Sequence, residues 1–193
     1  MHWPVIGMLN AKYLVMPGED GSPELQLNPY ALGNAWFVDK LYSVDNANEE
    51  SDALNTIDLS HEAVLDKSFA QYLPDYEPLI PEGASVVLNK YTPKELDYTS
   101  SSSQPGTIVF SEIYYPYGWK ATIDGQAVDH YRVNYMLRAV NVPAGQHNIH
   151  FIFDPDSVRK GDIIASIFCY LMYAIVVLLI VKGIFEYIKK RKF

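Results

Sequence analysis

Residues 119–153 read WKATIDGQAVDHYRVNYMLRAVNVPAGQHNIHFIF, and this stretch decides the fold. In its last eight residues Ile149, Phe151 and Phe153 fall on one side of an extended chain, while Asn148 and His150 fall on the other. That alternation is the signature of a strand with one buried and one wet face. Upstream, residues 119–123 run into Asp124-Gly125, a two-residue hairpin signal in which both positions favour positive φ. Residues 138–142 and 146–153 flank Pro143-Ala144-Gly145, a second hairpin.

The same rhythm extends backwards. Residues 86–91 and 95–100 flank Thr92-Pro93-Lys94, SSSSQPG (100–106) is a turn, and TIVFSEIYY (107–115) is a long strand. Short strands at regular spacing predict an antiparallel β-sandwich of the jelly-roll kind over residues 84–158. Before it, residues 1–83 read as a small mixed α/β segment. KYLVM (12–16) and AWFVDKLYSV (35–44) are predicted strands, and 17–34 is a turn-rich loop. Residues 46–57 have helix character, EAVLD (62–66) is a short strand, and 72–83, with three prolines, is a connector.

Downstream of the sandwich, IIASIFCYLMYAIVVLLIV (163–181) holds no charge, proline or glycine. As a helix it is about 28 Å long, close to the ~30 Å hydrocarbon core of a bilayer. We read it as a transmembrane helix. After residue 162 come Lys182, Lys189, Lys190, Arg191 and Lys192 against the single acid Glu186, a net +4; residues 1–162 carry 10 basic and 22 acidic residues, a net −12. Short basic flanks stay on the cytoplasmic side. The tail 182–193 is therefore expected in the cytoplasm and residues 1–162 outside it. Four residues, 159–162, are expected to link the sandwich directly to the membrane. The acidic outer part argues against nucleic acid as a partner. The first fifteen residues lack the basic start and long apolar core of a signal peptide, so an exported domain implies membrane helices before Met1.

Catalytic motifs are missing: no Gly-x-Ser-x-Gly, phosphate-binding glycine loop, HExxH or CxxC occurs. The one cysteine, Cys169, falls inside the membrane segment, which rules out an intrachain disulfide. Five histidines are scattered, and His147 and His150 point to opposite faces of their strand, so no metal site is expected and no cofactor is implied. Asp124 reads as a turn residue. Arg132 and Arg138 are expected to pair with neighbouring acids. The one suggestive patch is aromatic: Tyr114, Tyr115, Tyr117 and Trp119, with Pro116 and Gly118 between them. Such rings, flat and apolar with a polar edge, suit stacking on a sugar, and they suit still better closing a sandwich or lining a membrane boundary, where aromatics dominate.

SEIYYPYGWKATIDGQAVDHYRVNYMLRAVNVPAGQHNIHFIFDP (111–155) resembles the C-terminal region of YfhO-family bacterial membrane proteins. MLNAKYLVM (8–16) and AWFVDKLYSV (35–44) are similar to that family's preceding segments. The resemblance implies a multispanning protein of the bacterial cytoplasmic membrane, like the GT-C glycosyltransferases, which take polyprenyl-phosphate-linked sugars at the outer membrane face. In that class the catalytic acid lies in an early outer loop, so no catalytic residue is carried over to this chain. The implied partners are upstream membrane helices of the same protein, membrane lipid and a cell-envelope glycan acceptor. The expected role is an accessory domain that shapes or recognises the acceptor, with Tyr114, Tyr115, Tyr117 and Trp119 as candidate glycan contacts. The other reading is a non-catalytic, membrane-anchored sandwich that binds carbohydrate or protein.

Overall fold

The structure, a computed structural model, describes residues 3–191. Met1, His2, Lys192 and Phe193 lie outside the described residues, so the end of the expected basic tail is among them. Two units are present, one ending at Phe153 and one beginning at Asp154.

The first unit is built on two antiparallel sheets. One has five strands in the order β10 (Gln126–Val128), β9 (Trp119–Ile123), β13 (Gly145–Phe153), β7 (Glu95–Ser102) and β6 (Ser85–Thr92). The other has four, in the order β11 (Tyr131–Val133), β12 (Leu137–Val142), β8 (Gly106–Ile113) and β3 (Ala35–Val38). Their inner faces share one core: Leu96, Tyr98, Ala121, Ile123, Ile149 and Phe151 from the first sheet meet Phe37, Ile108, Phe110, Val140 and Val142 from the second. Mainly β, antiparallel and sandwich-like, the architecture is the one the alternation predicts. Asp124 and Gly125 both take positive φ, 51° and 81°, as the hairpin between β9 and β10 requires.

The four-stranded sheet departs from the expected pattern of one wet face. Its outer face is buried as well, because a second core gathers Val109, Tyr131, Val133, Leu137 and Ala139 against Leu54, Leu59 and Ala63–Leu65 of the preceding segment. This explains why residues 106–110 of β8 are buried without alternation. The covering layer is a parallel pair, β4 (Lys40–Val44) and β5 (Glu62–Asp66), joined by α2 (Ala47–Ala53), α1 being the short helix Trp3–Met8. Asn46 caps α2 by accepting from the backbone N–H groups of Asn48 and Glu49. The helix stops at Ala53, short of the expected residue 57. Residues 35–44 are not one strand: the chain leaves the four-stranded sheet at Val38 and joins the parallel pair at Lys40. Nor is 17–34 only a loop. Pro23–Leu27 forms β2, which pairs with β1 (Tyr13–Pro17).

Between β11 and β12 the chain turns through Asn134 and Tyr135, both at positive φ (51° and 70°). A tyrosine in this region is strained unless its surroundings hold it. Here they do. Asn134 Oδ1 accepts from Val64 N at 2.9 Å and Asn134 N donates to Val64 O at 2.7 Å, so this buried side chain completes the pairing of β5. Asn134→Gly keeps the backbone freedom and removes the acceptor. We expect a loss of about 2 kcal/mol, the usual penalty for a buried unpaired N–H, read as a lower denaturation midpoint.

The second unit is α3, Asp156–Arg191, whose described side chains are all exposed. The helix therefore takes in residues 159–162, expected to be a linker. Arg159 bonds Asp156 at 2.9 Å one turn back, and Lys189, Lys190 and Arg191 occupy the last turn, where cations suit the helix dipole. It is long and apolar enough to cross a membrane.

Candidate functional site: an aromatic cleft on the sandwich edge

Tyr114 and Trp119 line one cleft, with a volume of about 480 Å³. Its walls come from four separated parts of the chain: Tyr72 closing the 3-10 segment Lys67–Tyr72, Tyr114 and Pro116 after β8, β9 with residues 127–130, and Ile152 of β13. Lys120, Thr122, Asp129 and His130 give it polar groups. Tyr115 and Tyr117 are not among its lining residues. They contact each other edge to face at 5.7 Å, and Tyr117 is 73% exposed. The four rings therefore divide into a cleft pair and an exposed pair. β8 ends at Ile113, and after it Tyr114 is half-buried while Tyr115 is exposed.

Each cleft ring is held by packing behind it. Trp119 lies over the Arg138 guanidinium, 4.4 Å from ring centre to carbon, and against Phe153 at 5.4 Å. Tyr114 meets Phe69 at 5.6 Å and His130 at 5.4 Å, both edge to face. Tyr72 stacks flat on buried Tyr131 at 5.2 Å. Its carbonyl accepts from Asn141 Nδ2 at 2.8 Å, and Asn141 Oδ1 in turn accepts from Tyr131 and Thr107. A ring from the preceding segment is thus fixed into the sandwich edge through one β12 side chain.

His130 is the cleft's main titratable group. Its Nε2 lies 3.1 Å from the Trp119 carbonyl and Nδ1 has no hydrogen-bond partner among the described residues. Burial, helped by the charge of Arg138, pushes the imidazole below its ordinary value against the pull of that carbonyl, so the ring is neutral at pH 7.

Arg138 itself differs from the expected pairing with a neighbouring acid. It is 2% exposed, donates from Nη2 to the Ile113 carbonyl at 3.0 Å, and leaves Nε and Nη1 without hydrogen-bond partners among the described residues. Burial lowers its affinity for a proton, while the nearby Glu112 and Tyr98 raise it. Its role is to back Trp119 and Phe151. Arg132 does pair with an acid, Glu50, at 2.8 Å.

Of the two histidines on β13, His147 closes the sheet end: Nδ1 lies 2.6 Å from Asp124 Oδ2, and Asp124 Oδ1 accepts from Asn148 N. The Asn148 N–H and then the imidazole hold the Asp124 carboxyl below the usual range. His150 instead stands on the open face of the five-stranded sheet beside Asp97 and Glu95.

Tyr72, Thr122 and His130 were not singled out from the sequence. Tyr72 lies far along the chain from Tyr114, and no local pattern marks it as their neighbour.

Residues 81–165 match the family model described as bacterial membrane protein YfhO. This stretch is similar to that family. The YfhO match covers the sandwich from before β6 into the start of α3, and so includes every cleft residue except Tyr72. The resemblance read from residues 111–155 is borne out. Neither a curated protein nor a solved structure matches the chain.

Proposed function

We propose that this chain is the C-terminal outer domain and last membrane helix of a multispanning YfhO-type protein that moves sugar from a polyprenyl-phosphate carrier to a cell-envelope glycopolymer. In this reading the bacterial cytoplasmic membrane holds the protein, residues 1–162 face outward and the basic end of α3 faces the cytoplasm. The outer domain holds the acceptor and performs no bond chemistry. The catalytic groups belong to other parts of the protein.

One observation carries the binding role. Tyr72, Tyr114 and Trp119 converge on a single cleft from distant parts of the chain, beside Lys120, Thr122 and Asp129. Rings that present a flat apolar face, flanked by hydrogen-bonding groups, match the two kinds of surface on a sugar ring. The exposed Tyr115 and Tyr117 extend the aromatic surface beyond the cleft. The same cleft serves the second reading, a non-catalytic anchored binding module. Sugar transfer by the complete protein separates the two.

The test is binding of envelope glycopolymer oligomers to the full chain in detergent micelles, followed by calorimetry. An aromatic contact contributes about 1 kcal/mol, so Tyr114→Ala is expected to weaken binding roughly fivefold. Trp119→Phe, which keeps a ring over Arg138, should weaken it less and leave melting nearly unchanged. Unaltered affinity in Tyr114→Ala would remove the recognition role and leave the rings as bracing.

A further inference from the structure

We infer that Glu95, Asp97 and His150 bind one divalent transition cation of the zinc type on the open face of the five-stranded sheet. The strands dictate the cluster. Glu95 and Asp97 are two apart on β7 and so share a face. Antiparallel pairing places His150 of β13 directly across from Asp97. His150 Nδ1 lies 2.5 Å from Asp97 Oδ1, and its Nε2 faces Glu95 Oε1 at 3.9 Å. One ligand atom from each residue falls within a sphere in which all are at most 4.8 Å apart.

This donor set suits the cation. Zinc takes imidazole nitrogen and carboxylate oxygen at about 2.0–2.2 Å, which puts neighbouring ligands roughly 3.4 Å apart in a tetrahedron. The 3.9 Å gap between His150 and Glu95 closes with small rotamer changes, and both side chains are about one-third exposed. An imidazole ligand favours zinc over calcium or magnesium, which prefer all-oxygen sets. The framework is stiff, because β7 and β13 are interior strands with hydrogen-bonded neighbours on both sides.

Lys90 competes for the site. Its Nζ lies 2.5 Å from Glu95 Oε2 and supplies the positive charge that the cation would bring. On the other flank, Thr122 stands across from His150 and Ile152 across from Glu95, and both line the aromatic cleft. The cation therefore sits at the side of that cleft, with its remaining positions open to water. The site stands on its own geometry, whether or not the cleft holds a glycan.

The experiment is zinc titration of the full, untagged chain in detergent micelles, competed against a chromophoric chelator. Wild type is expected to bind one zinc ion more tightly than the rest. His150→Ala and Asp97→Asn should weaken that equivalent at least tenfold, with the far-ultraviolet circular dichroism unchanged. Lys90→Met should tighten it severalfold by releasing Glu95. His61→Ala, in the covering layer, should leave it alone. Retention of the equivalent in His150→Ala, its loss in His61→Ala, or no distinct equivalent in wild type would overturn the assignment. Glycan binding is measured separately, so failure of one reading leaves the other intact.

Discussion

Phe110→Ala is expected to destabilise the outer domain by about 4 kcal/mol, within the usual range for truncating a buried phenylalanine. The ring is fully buried at the centre of the inter-sheet core. It meets Tyr98 edge to face at 4.8 Å and Phe151 at 5.0 Å, so three rings from three strands and both sheets form one cluster. Truncation removes the central member, and neighbours held in hydrogen-bonded strands cannot collapse into the space. Phe110→Leu, which refills most of the volume, should cost less than half as much. Urea denaturation of the full chain in micelles reads both values. A loss under 1 kcal/mol for the alanine variant would mean that the sheets do not share this core.

Glu50→Ala should cost about 3 kcal/mol at pH 7, because it takes a buried carboxyl away from the half-buried Arg132 guanidinium and from the Tyr135 N–H. Glu50 is fully buried on α2, accepting from Arg132 Nη2 at 2.8 Å and from the Tyr135 backbone N–H at 2.9 Å. Without it the left-handed Tyr135 loses the acceptor that holds the turn, and the covering layer loses one of its polar ties to the sandwich. Glu50→Gln retains an acceptor and should cost less.

The pH dependence distinguishes charge from shape. Burial pushes the Glu50 carboxyl above its ordinary value of 4.5; the Asp66 charge adds to this, and the Tyr135 N–H and Arg132 oppose it. A carboxyl raised in the folded state is held protonated more tightly there than in the unfolded chain. Its stabilising contribution is complete below pH 4.5 and is lost as pH rises through the folded value. Glutamine does not titrate. The stability advantage of wild type over Glu50→Gln should therefore shrink between pH 4 and pH 7, and a gap that widens would contradict the burial.

The second core shows where sequence patterns stop. Strand alternation locates β6 to β9, β12 and β13 because each needs only its own period of two and a turn residue at its end. β11 was missed, since the turn after it carries Asn134 and Tyr135 instead of glycine. That turn is stable only because Val64 and Glu50, 70 and 85 positions away from their partners, satisfy its polar groups. The split of residues 35–44 at Asp39 has a similar cause: two sheets compete for one extended stretch, and each takes half. The aromatic patch was visible as a run of rings. Its division into cleft and exposed pairs depends on Tyr72, Asn141 and His130, which reach it from elsewhere.

By itself, the sequence determined whatever rests on neighbours along the chain. Those features are the alternating strands, the Asp124-Gly125 hairpin, the unbroken apolar run of α3 and the pattern matched by the YfhO family. Tertiary structure decided the rest: that the four-stranded sheet is buried on both faces, that Arg138 lies inside backing Trp119, and that Glu95 and Asp97 share a face with His150. The physical reason is the range of the interactions. Backbone period and turn preference are fixed within a few residues, whereas burial and the pairing of polar groups depend on which distant strands lie alongside.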